Sequence, residues 1–274
     1  MGSSKIANLI RFDTLLHLVK DSVTSLLHCI HFLLNSVTAN KLYDKTTMTR
    51  LKTDGIYICE EMLTASHVEV LRNEVDRLLD QPGVNVWRDK QCSDERIYFA
   101  EELSPEFQGI LDLAIVRDTL KNYLGYKKPV GFMLAGRITA REGNEGSGGG
   151  WHRDSPHSKQ FKSIFYLNDV DEKNGPFQYA KGSHRFLSTV SSYLKTPMKP
   201  GQYRYDNDEL EKIVDVLNLK LITNTGKAGT TIFVDTKGIH RGAPLVSGRR
   251  YALFCYFFDG EIPKHFDQYR QQKN

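Results

Sequence analysis

Gly146-Ser147-Gly148-Gly149-Gly150-Trp151-His152-Arg153-Asp154 places an imidazole and a carboxylate two residues apart, directly behind a run of glycines. On an extended strand, side chains at i and i+2 share a face. His152 and Asp154 can then converge on one metal ion, with Arg153 turned away. A third ligand has to come from another part of the chain, and His240 in Gly238-Ile239-His240-Arg241-Gly242 is the best candidate. Two histidines and one carboxylate that leave other positions open suit non-haem Fe(II). The glycines are not a phosphate cradle, because no Lys-Ser/Thr opens a helix after them. They are expected to form a flexible flap beside the site.

The 274 residues suffice for one large domain with a sizeable core. A hydrophobic share of 40% with 26% charged residues is that of a folded chain. A net charge of +4 with no long Lys/Arg run excludes a dedicated nucleic-acid surface. The four cysteines (Cys29, Cys59, Cys92, Cys255) are scattered, with neither zinc-site nor disulfide spacing. That fits a reducing, cytoplasmic compartment.

Residues 1–48 read as an N-terminal helical segment and 49–274 as the main domain. From Ile6 to Val37, apolar residues recur every three or four positions, giving an amphipathic helix or two. It lacks the pattern of a signal peptide and is too polar for a membrane span. Three placements stay open: packing on the domain, a homodimer contact, or peripheral attachment to the inner face of a membrane.

A short strand is expected at Ile56–Cys59. Ser66-x-x-Glu69 reads as a capping box for a helix with the stripe Val68, Leu71, Val75, Leu78 and Leu79. A second helix runs from Ser104-Pro105 to Gly125, and Trp87 to Phe99 reads as a loop over the site. From Pro129 the pattern turns to β. Strands are expected at 129–141, around His152, at 161–170, from Phe177, and at 219–223, 230–235 and 249–258. A helix is expected over 206–217, and 186–202 reads as irregular. Helices first and strands later indicate an α+β fold. His184, in a turn, is expected to bond backbone rather than metal, and His157 reads as a loop residue.

Several motifs, in order and spacing, resemble the phytanoyl-CoA dioxygenase family of Fe(II)/2-oxoglutarate oxygenases. They are Lys52-Thr53-Asp54-Gly55-Ile56, Trp151-His152-Arg153-Asp154, Leu167-Asn168-Asp169-Val170 with Asn174-Gly175-Pro176, Gly182-Ser183-His184-Arg185, Gly229-Thr230-Thr231-Ile232-Phe233, His240-Arg241-Gly242 and Gly248-Arg249-Arg250. The resemblance covers about Leu51 to Phe258. It implies a double-stranded β-helix (jelly-roll) core with iron held by His152, Asp154 and His240, 2-oxoglutarate as cosubstrate with dioxygen, and succinate and CO2 as products.

It also implies Arg250 as the anchor of the keto-acid's far carboxylate. A one-residue slip would exchange Arg250 with Arg249. Gly136-Arg137-Ile138-Thr139 is similar to a strand of the ectoine hydroxylases, which implies Thr139 at the keto-acid and Arg137 at the substrate, with a surface or structural ion pair as the equal alternative for Arg137. The hydroxyl residue often found two places after the distal histidine is Gly242 here, so one keto-acid contact must come from elsewhere. Because Asp154 is intact, the resemblance implies hydroxylation, or a related oxidation such as desaturation, rather than halogenation. The expected substrate is a small or lipid-linked molecule such as an anionic sugar or lipopolysaccharide component. The alternatives are a metal-binding protein without turnover and a metal-dependent hydrolase using the same three ligands.

Overall fold

The computed structural model describes Val23 and residues 45–155, 159–199 and 201–271. Apart from Val23, the amphipathic segment 6–37 therefore lies outside the described residues, as does His157. The first described helix, α1 (Lys45–Thr53), spans the expected boundary at 48, and Met48 and Leu51 are buried in the core. In chain order the strands are β1 (Ile56–Cys59), β2 (Val86–Arg88), β3 (Asp94–Tyr98), β4 (Pro129–Thr139), β5 (Trp151–His152), β6 (Phe161–Tyr166), β7 (Phe177–Lys181), β8 (Arg204–Tyr205), β9 (Lys220–Asn224), β10 (Thr231–Asp235), β11 (His240–Gly242) and β12 (Arg249–Asp259).

They form two antiparallel sheets, a seven-stranded one in the order β1-β10-β6-β12-β4-β3-β2 and a five-stranded one in the order β8-β5-β11-β7-β9. Ile56, Val234, Ile164 and Ala252 of the larger sheet and Phe177 and Tyr179 of the smaller pack into one apolar layer. The jelly-roll expectation is met.

The outer face of the larger sheet carries the helices. Tyr251, Leu253, Cys255 and Phe257 of β12 meet Val68, Leu71, Val75, Leu78 and Leu79 of α2 (Ala65–Asp80) in one cluster. Each such aliphatic side chain, once buried, contributes about 1.5–3 kcal/mol. The stripe read from the sequence is the buried one, but the cap is not. Thr64, not Ser66, is the N-cap, and its Oγ1 accepts from the His67 N–H at 3.3 Å.

The helix expected from Ser104 to Gly125 is broken into α3 (Pro105–Leu111), α4 (Ala114–Thr119) and a π turn at Leu120–Leu124. Leu113 caps α4 in a non-helical conformation, which redirects the chain so that Val116, Leu120 and Tyr123 all reach the core.

The smaller sheet is covered by α5 (Phe186–Lys195) and α6 (Asn207–Leu217), through Trp151, Tyr193, Leu210 and Ile213. The α5 segment was expected to be irregular. Its inner face is Thr189, Ser192 and Tyr193 rather than an apolar stripe. The hydroxyls are satisfied inside the helix, Thr189 Oγ1 donating to the Arg185 carbonyl and Ser192 Oγ to that of Ser188. Asp206 and Glu209 make a reciprocal capping box at the start of α6.

Glu101 follows β3 in a short 3-10 turn, Ala100–Glu102, and its Oε2 accepts the Met133 N–H at 2.8 Å. Burial outweighs that bond and pushes the carboxyl up to about 7. A folded-state value above the ordinary 4.5 means stability that is complete below pH 4.5 and lost as pH rises through 7. Glu101→Gln is therefore expected to melt later than wild type at pH 8, by on the order of 1 kcal/mol. At pH 4, below the unfolded value, the two proteins should melt alike. Calorimetry at both values decides this, and an equal offset at both would exclude the ionisation.

Candidate active site

The three side chains that could hold a metal ion are set by the pairing of the smaller sheet. His152 of β5 stands directly opposite His240 of β11, which puts both imidazoles on one face with ring centroids 4.3 Å apart. Asp154 follows β5, its backbone N–H held by the Thr236 carbonyl at 3.0 Å. Its Oδ1 is 3.6 Å from His152 Nε2 and 3.8 Å from His240 Nε2. All three ligating atoms lie within 4.8 Å of one another.

The ring orientations are fixed from behind. His152 Nδ1 contacts the Gly150 carbonyl and His240 Nδ1 the Gly238 carbonyl, each at 2.9 Å. A carbonyl can only accept, so both Nδ1 atoms carry the proton and both Nε2 lone pairs face the centre. Burial pushes His240 down to about 3, which keeps it neutral for ligation. Asp154 Oδ2 receives the Lys162 ammonium at 2.7 Å, and Lys162 also lies 4.2 Å over the ring of Tyr256, its cross-strand neighbour. Removal from water, the largest single effect, would raise the Asp154 carboxyl, but Lys162, His152 and His240 together hold Asp154 well below the usual range.

These groups line a cavity of about 270 Å³ between the two sheets. Arg250 enters it from β12 and is almost fully buried, while Arg249 is exposed, so of the two arginines it is Arg250 that faces the cavity. The Nε of Arg250 is buried without a hydrogen-bond partner among the described residues. Arg153 is turned away as expected, its guanidinium donating to the Ser183 and Lys237 carbonyls at 2.9 and 2.5 Å. His184 bonds the Lys52 carbonyl at 3.2 Å, and burial lowers it to about 4.

A family model described as phytanoyl-CoA dioxygenase (PhyH) matches residues 51–251, nearly the whole of this arrangement. The chain belongs to the phytanoyl-CoA dioxygenase family. With its His-Asp-His centre it is an oxygenase dependent on iron and 2-oxoglutarate. No curated protein matches the chain.

Among solved structures it is similar to EctD from S. alaskensis with bound Fe, at 18% identity over 86% of this chain and 87% of that one, with a TM-score of 0.65. It is also similar to the epimerase SnoN in complex with Fe3+, alpha ketoglutarate and nogalamycin RO, at 16% identity over 78% and 83% and a TM-score of 0.58. A third is HygX from Streptomyces hygroscopicus with nickel, 2-oxoglutarate and hygromycin B bound, at 15% identity over 81% and 90% and a TM-score of 0.57. At these identities the likeness is one of fold.

Two residues expected at the oxygenase's site are elsewhere. In the β4–β12 ladder Arg250 pairs with Ile138 on the pocket side, whereas Thr139 pairs with Arg249 and Arg137 with Tyr251 on the other. Arg137 lies under α2, donating to Glu95 Oε2 at 2.8 and 2.9 Å and to Asp76 Oδ1 at 2.7 Å. It is an ion-paired structural residue.

The segment expected to be a loop over the site is instead the β2–β3 hairpin, paired onto β4. Alternation along β3 brings Asp94 and Arg96 to the pocket side. The two pair with each other, and Arg96 also lies 4.9 Å from the centre of the Trp87 ring. Lys162, Arg96 and Arg204 were not singled out in the sequence. The one legible signal was Lys162, a lone cation inside the otherwise buried strand Phe161–Tyr166.

The glycine-rich loop is seated rather than free. Gly242 N–H donates to the Ser147 carbonyl at 3.0 Å, and Arg204 donates to the carbonyls of Gly148 and Gly149 at 3.0 and 2.9 Å. Gly148, at φ +90°, lies so close that a Cβ would fall 2.4 Å from His152 Cε1.

Proposed function

We propose that this oxygenase hydroxylates an unactivated C–H bond of a small anionic molecule, with His152, Asp154 and His240 as the iron ligands and Arg250 as the anchor of the keto-acid. The observation that carries the reading is the Arg250 guanidinium, buried with an unpartnered Nε in the same pocket as three convergent ligands. A metal-dependent hydrolase would have no use for such a cation, and a carboxylate is what a planar guanidinium grips with two parallel bonds.

Iron, when bound, supplies the activation of dioxygen beside the keto-acid. The chain's own groups do the positioning. The Gly150 and Gly238 carbonyls hold the imidazoles in the ligating tautomer. Lys162 occupies Asp154 Oδ2 and leaves Oδ1 for the metal. The Gly148 backbone covers the edge of His152 and limits water there.

The cavity at the ligands has room for the keto-acid and the reacting end of a substrate. A second cavity of about 630 Å³ adjoins it across Arg96, Gly148 and Arg204, and its walls include Trp87, Arg88 and Lys90. Its walls also carry Asp89, Asp94 and Glu145, but the cations Arg88, Lys90, Arg96 and Arg204 outnumber them, and a flat ring beside that excess suits a small acidic compound such as an anionic sugar. Among the described residues no helix is long and apolar enough to cross a membrane, and a free substrate explains the cavity without a lipid carrier.

Anaerobic addition of Fe(II) and 2-oxoglutarate should produce the weak visible charge-transfer band of a chelated keto-acid. His152→Ala should abolish it. Iron binding with no such band in the wild type would overturn the keto-acid assignment.

A further inference from the structure

The site has an unfilled requirement and a side chain placed to meet it. Gly242 stands two residues after His240 and has no hydroxyl to offer. What occupies its surroundings is Ser147, from the glycine-rich loop. A Cβ built on Gly242 would lie 2.8 Å from Ser147 Cβ and 3.1 Å from Arg250 Nη2, so the loop serine and the buried guanidinium crowd the same point. Gly242 N–H fixes the loop there by its bond to the Ser147 carbonyl. Arg96 Nη2 donates to Ser147 Oγ at 3.3 Å. The hydroxyl's acceptor side is thus engaged by a cation, and its own O–H has no protein acceptor among the described residues. A hydroxyl polarised in this way, next to a buried guanidinium, is a donor waiting for an anionic oxygen.

We propose that Ser147 is a ligand of the far carboxylate of 2-oxoglutarate, donating its Oγ–H to one oxygen while Arg250 holds the carboxylate. The absent side chain at Gly242 is what admits it. The cosubstrate then bonds the glycine-rich loop as well as the strands, so keto-acid binding and the seating of the loop over His152 are one event. Arg96, pinned by Asp94, is the positioning residue for that hydroxyl.

The inference rests on the keto-acid reading of Arg250, and the test separates the two. Full-length protein is loaded with Ni(II), which does not turn over, and 2-oxoglutarate is titrated by calorimetry into wild type, Ser147→Ala and Arg250→Met. Ser147→Ala should weaken the keto-acid about tenfold with Ni(II) affinity unchanged. Pyruvate, which lacks the far carboxylate, should bind wild type and Ser147→Ala equally. The exchange Ser147→Gly with Gly242→Ser should recover most of the lost affinity, because it moves the hydroxyl to the other wall of the same point. Wild-type affinity in Ser147→Ala, with loss in Arg250→Met, overturns the role of Ser147 alone. Unchanged affinity in both variants overturns the anchor reading with it. Equal weakening of pyruvate and 2-oxoglutarate in Ser147→Ala would make the serine merely structural.

Discussion

Asp154→Ala is expected to lose metal binding and to destabilise the metal-free protein as well. The first effect follows from removing the anionic ligand that both imidazoles face, and should exceed the roughly 10–100-fold that losing an outer partner of a metal site costs. The second follows from Lys162. Its ammonium is buried in β6, 2.7 Å from Asp154 Oδ2, with the Tyr256 ring as its other neighbour. Removing the carboxylate leaves a buried cation with only the ring to face. Breaking one side of a buried pair costs about 3–5 kcal/mol. For a chain of this size that is a fall in melting temperature of roughly 5–15 °C.

The double variant Asp154→Ala with Lys162→Met removes both charges and should recover most of the melting temperature, because an apolar side chain of similar length can replace a buried ion pair without loss. It should not recover metal binding. Lys162→Met alone keeps the ligand and should lie between, folded and binding Ni(II) some 10–100-fold more weakly. Melting curves and metal titrations on the three variants check the order. A double variant no more stable than Asp154→Ala would show that Lys162 is not what the carboxylate stabilises.

The same lysine marks the limit of what could be read from the sequence. His-x-Asp on a strand and a distal histidine gave the centre, because ligand chemistry restricts the residue types and strand alternation fixes their direction. Arg250 came from the family resemblance, and alternation only set it opposite Tyr251, Leu253, Cys255 and Phe257, which face the helices. What stayed hidden were positions where function replaces the apolar pattern. β3 presents Asp94 and Arg96 to the pocket where an ordinary strand would present valine or leucine, so its period vanished and it read as a loop. α5 buries Thr189 and Ser192, whose hydroxyls bond its own carbonyls, so its period vanished too. Arg137 stayed open for the opposite reason. Similarity to an ectoine-hydroxylase strand pointed to the substrate and its charge equally to an ion pair, and only the β4–β12 register and the partners Glu95 and Asp76, distant in sequence, place that pair on the far side of the sheet. Local breaches of pattern cluster at sites, but a single charged residue does not say which side of a sheet it serves.

Arg250→Met should be the reverse of Asp154→Ala, costing function without stability. In the protein alone the guanidinium is buried, its Nε has no partner among the described residues, and burial depresses its pKa. Holding that charge opposes folding, so methionine, which keeps the stem's packing, should leave the metal-free melting temperature unchanged or raised. On the proposed anchor role a keto-acid carboxylate would remove the deficit, and that difference between the two states would make the residue a binding group. Loss of a desolvated partner of this kind costs 2–5 kcal/mol, which corresponds to about a hundredfold or more in keto-acid affinity. The rise in melting temperature that Ni(II) with 2-oxoglutarate gives over Ni(II) alone should vanish in Arg250→Met, since that rise is the binding free energy expressed as stability. Arg250→Lys should restore little, because an ammonium cannot place two parallel donors on one carboxylate. A variant that melts early without ligands yet binds 2-oxoglutarate as wild type does would make the guanidinium a structural charge.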